Sequence, residues 1–114
     1  NGVINKCENV LIVDDHPLTV EVHKGILSKA LKDKHLNYHT ATTAVKAYHT
    51  ITDIYKNNET LKMVFFDINL PAYNEKNINS GEDLALLTRK LFPNCKIDSE
   101  LVIIGFITAG SADI

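Results

Sequence analysis

The feature that most constrains this chain is an aliphatic run that stops at acid. Val10-Leu11-Ile12-Val13 sets four aliphatic residues in a row, three of them β-branched, and Asp14 and Asp15 follow at once. A run that is apolar on both faces suits a central strand covered on both sides. A second such run, Leu61 to Phe66, stops at Asp67. Between and after these runs lie amphipathic segments. Short apolar strands alternating with helical stripes are the pattern of a parallel sheet with helical crossovers.

After the first run, Pro17 suits the opening turn of a helix, where its missing N–H costs nothing. Leu18, Val22, Ile26 and Ala30 recur every four residues, with Leu27 and Leu31 beside them, and predict one buried stripe. Lys29, Lys32 and Lys34 form a basic tail suited to a helix C-terminus. Leu36 to Ala41 reads as a weak second strand, because Asn37 and His39 interrupt it. Thr42 or Thr43 can cap a second helix whose stripe is Ala44, Ala47, Tyr48, Ile51, Ile54 and Tyr55, ending at Asn57-Asn58. A polar loop from Asn69 to Asn79 follows the Asp67 strand. Ser80, with Asp83 three residues on, can cap a third helix with Leu84, Leu87 and Leu91 inward and Pro93 as its stop. Leu101 to Ile107 reads as a last strand. The expected fold is a doubly wound α/β domain with a parallel, flavodoxin-like sheet, and residues 1–114 form a single domain.

Composition narrows the function. Lys+Arg 12 against Asp+Glu 14 leaves a formal net charge of -2, which argues against a surface built mainly for nucleic acid or anionic lipid. The apolar runs fall far short of the roughly 20 residues of a membrane span. No charged-then-apolar leader opens the chain, and Cys7 and Cys95 lack metal or redox spacing, so a cytoplasmic protein with two free thiols is expected.

The acids carry the chemistry. In a parallel α/β sheet, ligands bind beyond the carboxyl ends of the strands, where strand order reverses. If the third strand returns to the far side of the first, Asp14, Asp15 and Asp67 converge in one crevice. A lone Asp after a strand is often a turn former or a helix cap. Three of them, each following an apolar run, need a counter-charge, most simply Mg²⁺ on oxygen ligands. Such an ion also neutralises a phosphoryl group brought to a nucleophilic carboxylate.

Val10 to Leu18, reading VLIVDDHPL, resembles the opening of a response-regulator receiver domain of bacterial two-component signalling, in the branch that carries a C-terminal helix-turn-helix output domain. Val64-Phe65-Phe66-Asp67-Ile68-Asn69-Leu70-Pro71 resembles the family's third strand and phospho-acceptor motif, and Ser80-Gly81-Glu82-Asp83-Leu84 the start of the next helix. The resemblance runs from about Val10 to Leu91. It implies that Asp67 accepts a phosphoryl group from the phosphohistidine of a sensor histidine kinase. It implies that Asp14 and Asp15 hold Mg²⁺ together with Asp67, Asp15 being the more direct ligand, and that Asn69 adds a backbone carbonyl. Pro71 shapes the loop after the acceptor. A phosphoprotein that switches an output surface in a phosphorelay, self-catalysing transfer and hydrolysis without conventional turnover, is the implied function. Homodimerisation on phosphorylation and transcription regulation through a DNA-binding output domain outside this chain belong to the same implication.

The resemblance weakens after Lys96. The family ends its fourth strand with Ser or Thr and its fifth with Lys, preceded by an aromatic. The favoured reading makes Leu101–Ile107 the fourth strand and Thr108 its switch hydroxyl, with Lys96-Ile97-Asp98-Ser99-Glu100 an insertion. The other begins the fourth strand at Cys95-Lys96-Ile97 and gives Gly105-Phe106-Ile107 to the fifth, with a stretch between them missing. Neither supplies the lysine, since no Lys or Arg follows Lys96. The fold is therefore expected to be incomplete or altered at its C-terminal end, and a degenerate receiver that binds partners without phosphorylation is the alternative function. An aspartyl phosphohydrolase is a further rival, disfavoured because Asp14 and Asp15 are adjacent and not spaced Asp-x-Asp.

Other residues read more plainly. His35 and His39 have helical Zn spacing but flank a strand, where that spacing does not converge on a metal. His16 sits beside the acid pair, either lining the pocket or capping the helix. Tyr48 and Tyr55 suit packing better than base stacking, the lysine tail suits a solvated helix end, and the glycines form no phosphate loop.

Overall fold

The computed structural model describes residues 8–31, 35–67, 76, 78 and 81–99, with the side chains of 98 and 99 excepted. The order is β1 (Glu8–Val13), α1 (Pro17–Ala30), β2 (Leu36–Ala41), α2 (Ala44–Lys56), β3 (Thr60–Phe66), α3 (Gly81–Leu91) and β4 (Lys96–Ser99). All pairings are parallel, and the strand order is β2-β1-β3-β4. The chain thus steps outward from β1 to β2, then crosses back to the other side of β1, which creates the reversal that the acids require.

The aliphatic runs become the centre of the sheet. Val10, Leu11, Ile12 and Val13 have no exposed surface, and Val64 and Phe65 none either. Alternate side chains feed two cores. Val10, Ile12 and Phe65 meet Val20 and Leu27 of α1 on one face, while Leu11, Val13, Val64 and Phe66 meet α2 and Leu84 of α3 on the other. Helices therefore cover both faces, as a doubly wound fold demands.

Local signals hold where they are strong. Thr43 caps α2 by accepting a hydrogen bond from the Lys46 N–H at 3.1 Å. Asn58, at φ 58°, ends it: Asn58 N–H reaches Tyr55 O and Glu59 N–H reaches Ile54 O, each at 3.1 Å. That pair of bonds is a Schellman closure, and Asn tolerates the left-handed position better than most residues.

Two expectations are corrected. On α1 the buried residues are Val20, His23 and Leu27, whereas Leu18 is 78% and Val22 53% exposed. At 3.6 residues per turn, positions two before and two after Val20 lie about 160° round the helix from it, so the Leu18–Val22 stripe faces out. Lys96–Ser99 is the fourth strand and not an insertion. Met63 pairs with Lys96 and Phe66 with Ser99, because the turn at Pro93-Asn94, closed by Cys95 N–H to Phe92 O at 3.0 Å, delivers the chain directly to the edge of β3. Leu101–Ile107 and Thr108 lie outside the described residues, as do Cys7, Lys32, Lys34, Asn69, Pro71 and Ser80.

Candidate functional site

The acids stand at the carboxyl end of the sheet. Val13 pairs with Ala41 on one side and Phe66 on the other. One residue further, the Asp14 N–H donates to Ala41 O at 3.0 Å and the Asp67 N–H to Val13 O at 2.8 Å. The ladder therefore carries on into both acids, and their backbones leave adjacent strands at one end. The hydrogen bonds that set the sheet register also set the site.

Asp14 is buried at 3% exposure, and its Oδ1 accepts the His16 N–H at 2.9 Å, the short-range turn that Asp side chains favour. The His16 ring Nδ1 lies 2.8 Å from Asp15 Oδ1 and 3.3 Å from Asp14 Oδ1. His16 occupies the cap position of α1 yet makes no side-chain cap, turning to the acids instead. Its pKa is raised, first by the hydrogen bond with Asp14 and then by the charge of Asp15. An exposed histidine ring thus lies against both acids. The ligand atoms of Asp14, Asp15 and His16 all lie within 4.8 Å of one another. This set offers hard oxygen donors to a cation. Asp67 is half-buried and outside that tight group, on the neighbouring strand.

A glycine completes the surroundings of Asp67. Gly81, the buried first residue of α3, stands so close that a Cβ on it would lie 2.7 Å from the Asp67 carbonyl oxygen. Its closeness to Asp67 was not evident from the sequence, where Gly81 stood only within the Ser80-to-Leu84 stretch that opens the helix. Thr88 was likewise missed: it is fully buried and donates its hydroxyl to Leu84 O at 2.8 Å.

The other candidates fall away from the acids. His39 Nε2 donates to Asn9 Oδ1 at 2.7 Å, far down β1. Tyr48 packs under the Lys76 ammonium at 5.5 Å, and Tyr55 meets Phe92 edge-on at 5.8 Å. Among the described residues no helix is long and apolar enough to cross a membrane.

No protein-family model and no curated protein matches the chain. Solved structures do. A response regulator receiver domain protein from Clostridium thermocellum superposes with a TM-score of 0.58 at 18% identity, over 79% of this chain and 61% of that one. The signal receiver domain of an HD domain-containing protein from Pseudomonas fluorescens Pf-5 superposes with a TM-score of 0.55 at 16% identity, over 93% of this chain and 71% of that one. The fold is therefore the receiver fold, and the chain spans less than two thirds of the first of these proteins.

Proposed function

We propose that this chain is a receiver of a two-component response regulator, in which Asp67 takes a phosphoryl group. The observation that supports it most is the pair of ladder hydrogen bonds that carries Asp14 and Asp67 out of adjacent strands at one end of the sheet. In the step we envisage, an Asp67 carboxylate oxygen bonds to phosphorus as the bond from phosphorus to a kinase histidine nitrogen breaks. The nitrogen keeps that electron pair. Water later cleaves the acyl-phosphate and returns the carboxylate and inorganic phosphate. Such transfers depend on alignment and charge neutralisation more than on covalent help.

Asp14 and Asp15 are the residues we propose for Mg²⁺, with Asp67 and the Asn69 backbone carbonyl beside them. The bound ion supplies positive charge against the phosphoryl oxygens. Asp14 orients His16 through two contacts, from the His16 N–H and from its ring Nδ1. The resemblance calls for a hydroxyl at the tip of the fourth strand. Thr108 was read into that role with Leu101–Ile107 as the fourth strand, and it loses that basis now that β4 is Lys96–Ser99. A histidine kinase as donor, a cytoplasmic setting, dimerisation on phosphorylation and a DNA-binding output outside this chain are further parts of the proposal.

The test is incubation with acetyl phosphate and Mg²⁺, followed by intact-mass measurement. The expected result is a gain of one phosphoryl group that Asp67→Asn abolishes. The second reading is a degenerate receiver, a binding module that needs no phosphorylation. A wild-type chain with no mass gain and no Asp67-dependent beryllofluoride adduct would favour it.

A further inference from the structure

We propose that Gly81 is a positioning residue for Asp67, through which the start of α3 and the acceptor are mechanically coupled; this rests on the reading of Asp67 as the acceptor. A Cβ on Gly81 would meet Asp67 O at 2.7 Å, Asp67 C at 3.4 Å and Phe66 Cβ at 3.4 Å. The nearest atom belongs to the backbone, so it cannot swing aside as a flexible side chain would. The requirement is for space and not for backbone freedom, because no described glycine has a positive φ.

Neither side of this contact is free to yield. The Asp67 N–H is tied to Val13 O at 2.8 Å, and Phe66 is buried against the sheet. On the other side, Leu84 and Thr88 are fully buried and anchor α3. Asp67 is therefore held through its N–H by β1, while its carbonyl stands close against the first residue of α3. A side chain at position 81 must turn the peptide that leaves Asp67, and with it the direction of the carboxylate. Conversely, a shift of Asp67 on modification presses on the first turn of α3. α3 packs on α2 as well as on β3, so the displacement has a path to the surface on that face of the sheet.

The test compares wild type with Gly81→Ala and with Gly25→Ala, a helical glycine whose added Cβ meets nothing within 4 Å. Acyl-phosphate formation from acetyl phosphate is followed by mass across a Mg²⁺ titration. Misplacement of a reacting group costs rate steeply, so Gly81→Ala should lower the maximal rate about ten-fold or more. Its half-saturating Mg²⁺ should change by about three-fold at most, less than the rate, because Asp67 is only one of the proposed ligands and the Asp14–Asp15 pair is untouched; this split between rate and binding is what separates positioning from a general loss of structure. Gly25→Ala should keep the wild-type rate.

If Gly81→Ala does not fold, amide NMR of the wild type decides. Beryllofluoride with Mg²⁺ should move the Gly81 amide as far as those of Val13 and Asp14. A wild-type maximal rate in Gly81→Ala, or a Gly81 amide that stays still while that of Asp67 moves, would overturn the proposal. A wild-type chain that reacts with neither reagent removes the acceptor reading and this inference together, an outcome distinct from the other two.

Discussion

Strand β1 buries a polar side chain at each end, and the two are used differently. Asn9, at 1% exposure, sits where the β1–β3 register slips: Asn9 pairs with Leu61 but Val10 with Met63, so Lys62 is the extra residue of a bulge. Its amide donates to Glu59 Oε1 at 3.1 Å and Thr60 O at 3.0 Å, and its carbonyl oxygen accepts from His39 at 2.7 Å. Three strand segments are pinned by one side chain. Asp14, at 3% exposure, instead contacts an exposed residue only two positions on, His16. Equal burial therefore does not mean equal purpose. A buried polar group satisfied by the sheet itself is a rivet, whereas one satisfied from the solvent boundary can exchange that partner for a ligand.

Substitutions should separate the two ends. The largest effect on stability is expected at the amino end. Asn9→Leu strips partners from Glu59, His39 and the Thr60 carbonyl together, and should cost about 2–3 kcal/mol in urea unfolding while leaving Mg²⁺ binding intact. Asp14→Asn should do the reverse. Stability without Mg²⁺ should move by less than about 1 kcal/mol, because the acid pair loses its own repulsion along with its contact to His16, but the stabilisation gained from Mg²⁺ should vanish. If Asp14→Asn unfolds the chain and Asn9→Leu does not, the contrast is wrong.

A pH measurement sharpens it further. Cys95 stands at the amino end, at the entry to β4, and burial pushes its thiol up to about 12. The unfolded thiol titrates first, near ~8.5. Across that interval the folded state holds its proton more tightly, so this contribution to stability is full below the unfolded value and is lost as pH rises toward the folded one. In a Cys7→Ser background, iodoacetamide at pH 8.5 should alkylate folded Cys95 about a hundred-fold more slowly than the urea-unfolded chain. The smallest effect is expected at a site belonging to neither end: Gly25→Ala in α1 should stabilise by about 0.5–1 kcal/mol in the same unfolding assay.

What was legible beforehand follows the same physics. β2 falls on Leu36–Ala41 as expected, and the α2 stripe of Ala44, Ala47, Ile51 and Ile54 is buried, because alternation and helical periodicity are local patterns. The acids at the strand ends were legible because an apolar run that stops at a charge announces its own terminus. The inward face of α1 was not. Its best-spaced aliphatics, Leu18 and Val22, point outward, and His23 goes in, so periodicity identified the helix but not the side the sheet would take. The favoured reading missed β4 and the reading that began it at Cys95-Lys96-Ile97 holds, because Lys96 and Asp98 make a four-residue strand look like a loop and only the register with β3 defines it. Gly81 and Asn9 depend on contacts between residues 14 and about 50 positions apart, which no local pattern carries.

The central claim is that the tips of β1 and β3 share one divalent ion, and paramagnetic broadening tests it most directly. Mn²⁺ added in place of Mg²⁺ to the isotope-labelled chain should first erase the amide signals of Val13 to Asp15 and of Phe66 and Asp67. Those of Asn9, Asn37 and Leu61, which stand level with one another at the other end of the sheet, should stay sharp, since β1 alone separates the ends by about 15–20 Å. Broadening centred on Glu8 and Glu59, or confined to Asp15 and His16 with Asp67 untouched, would contradict the account.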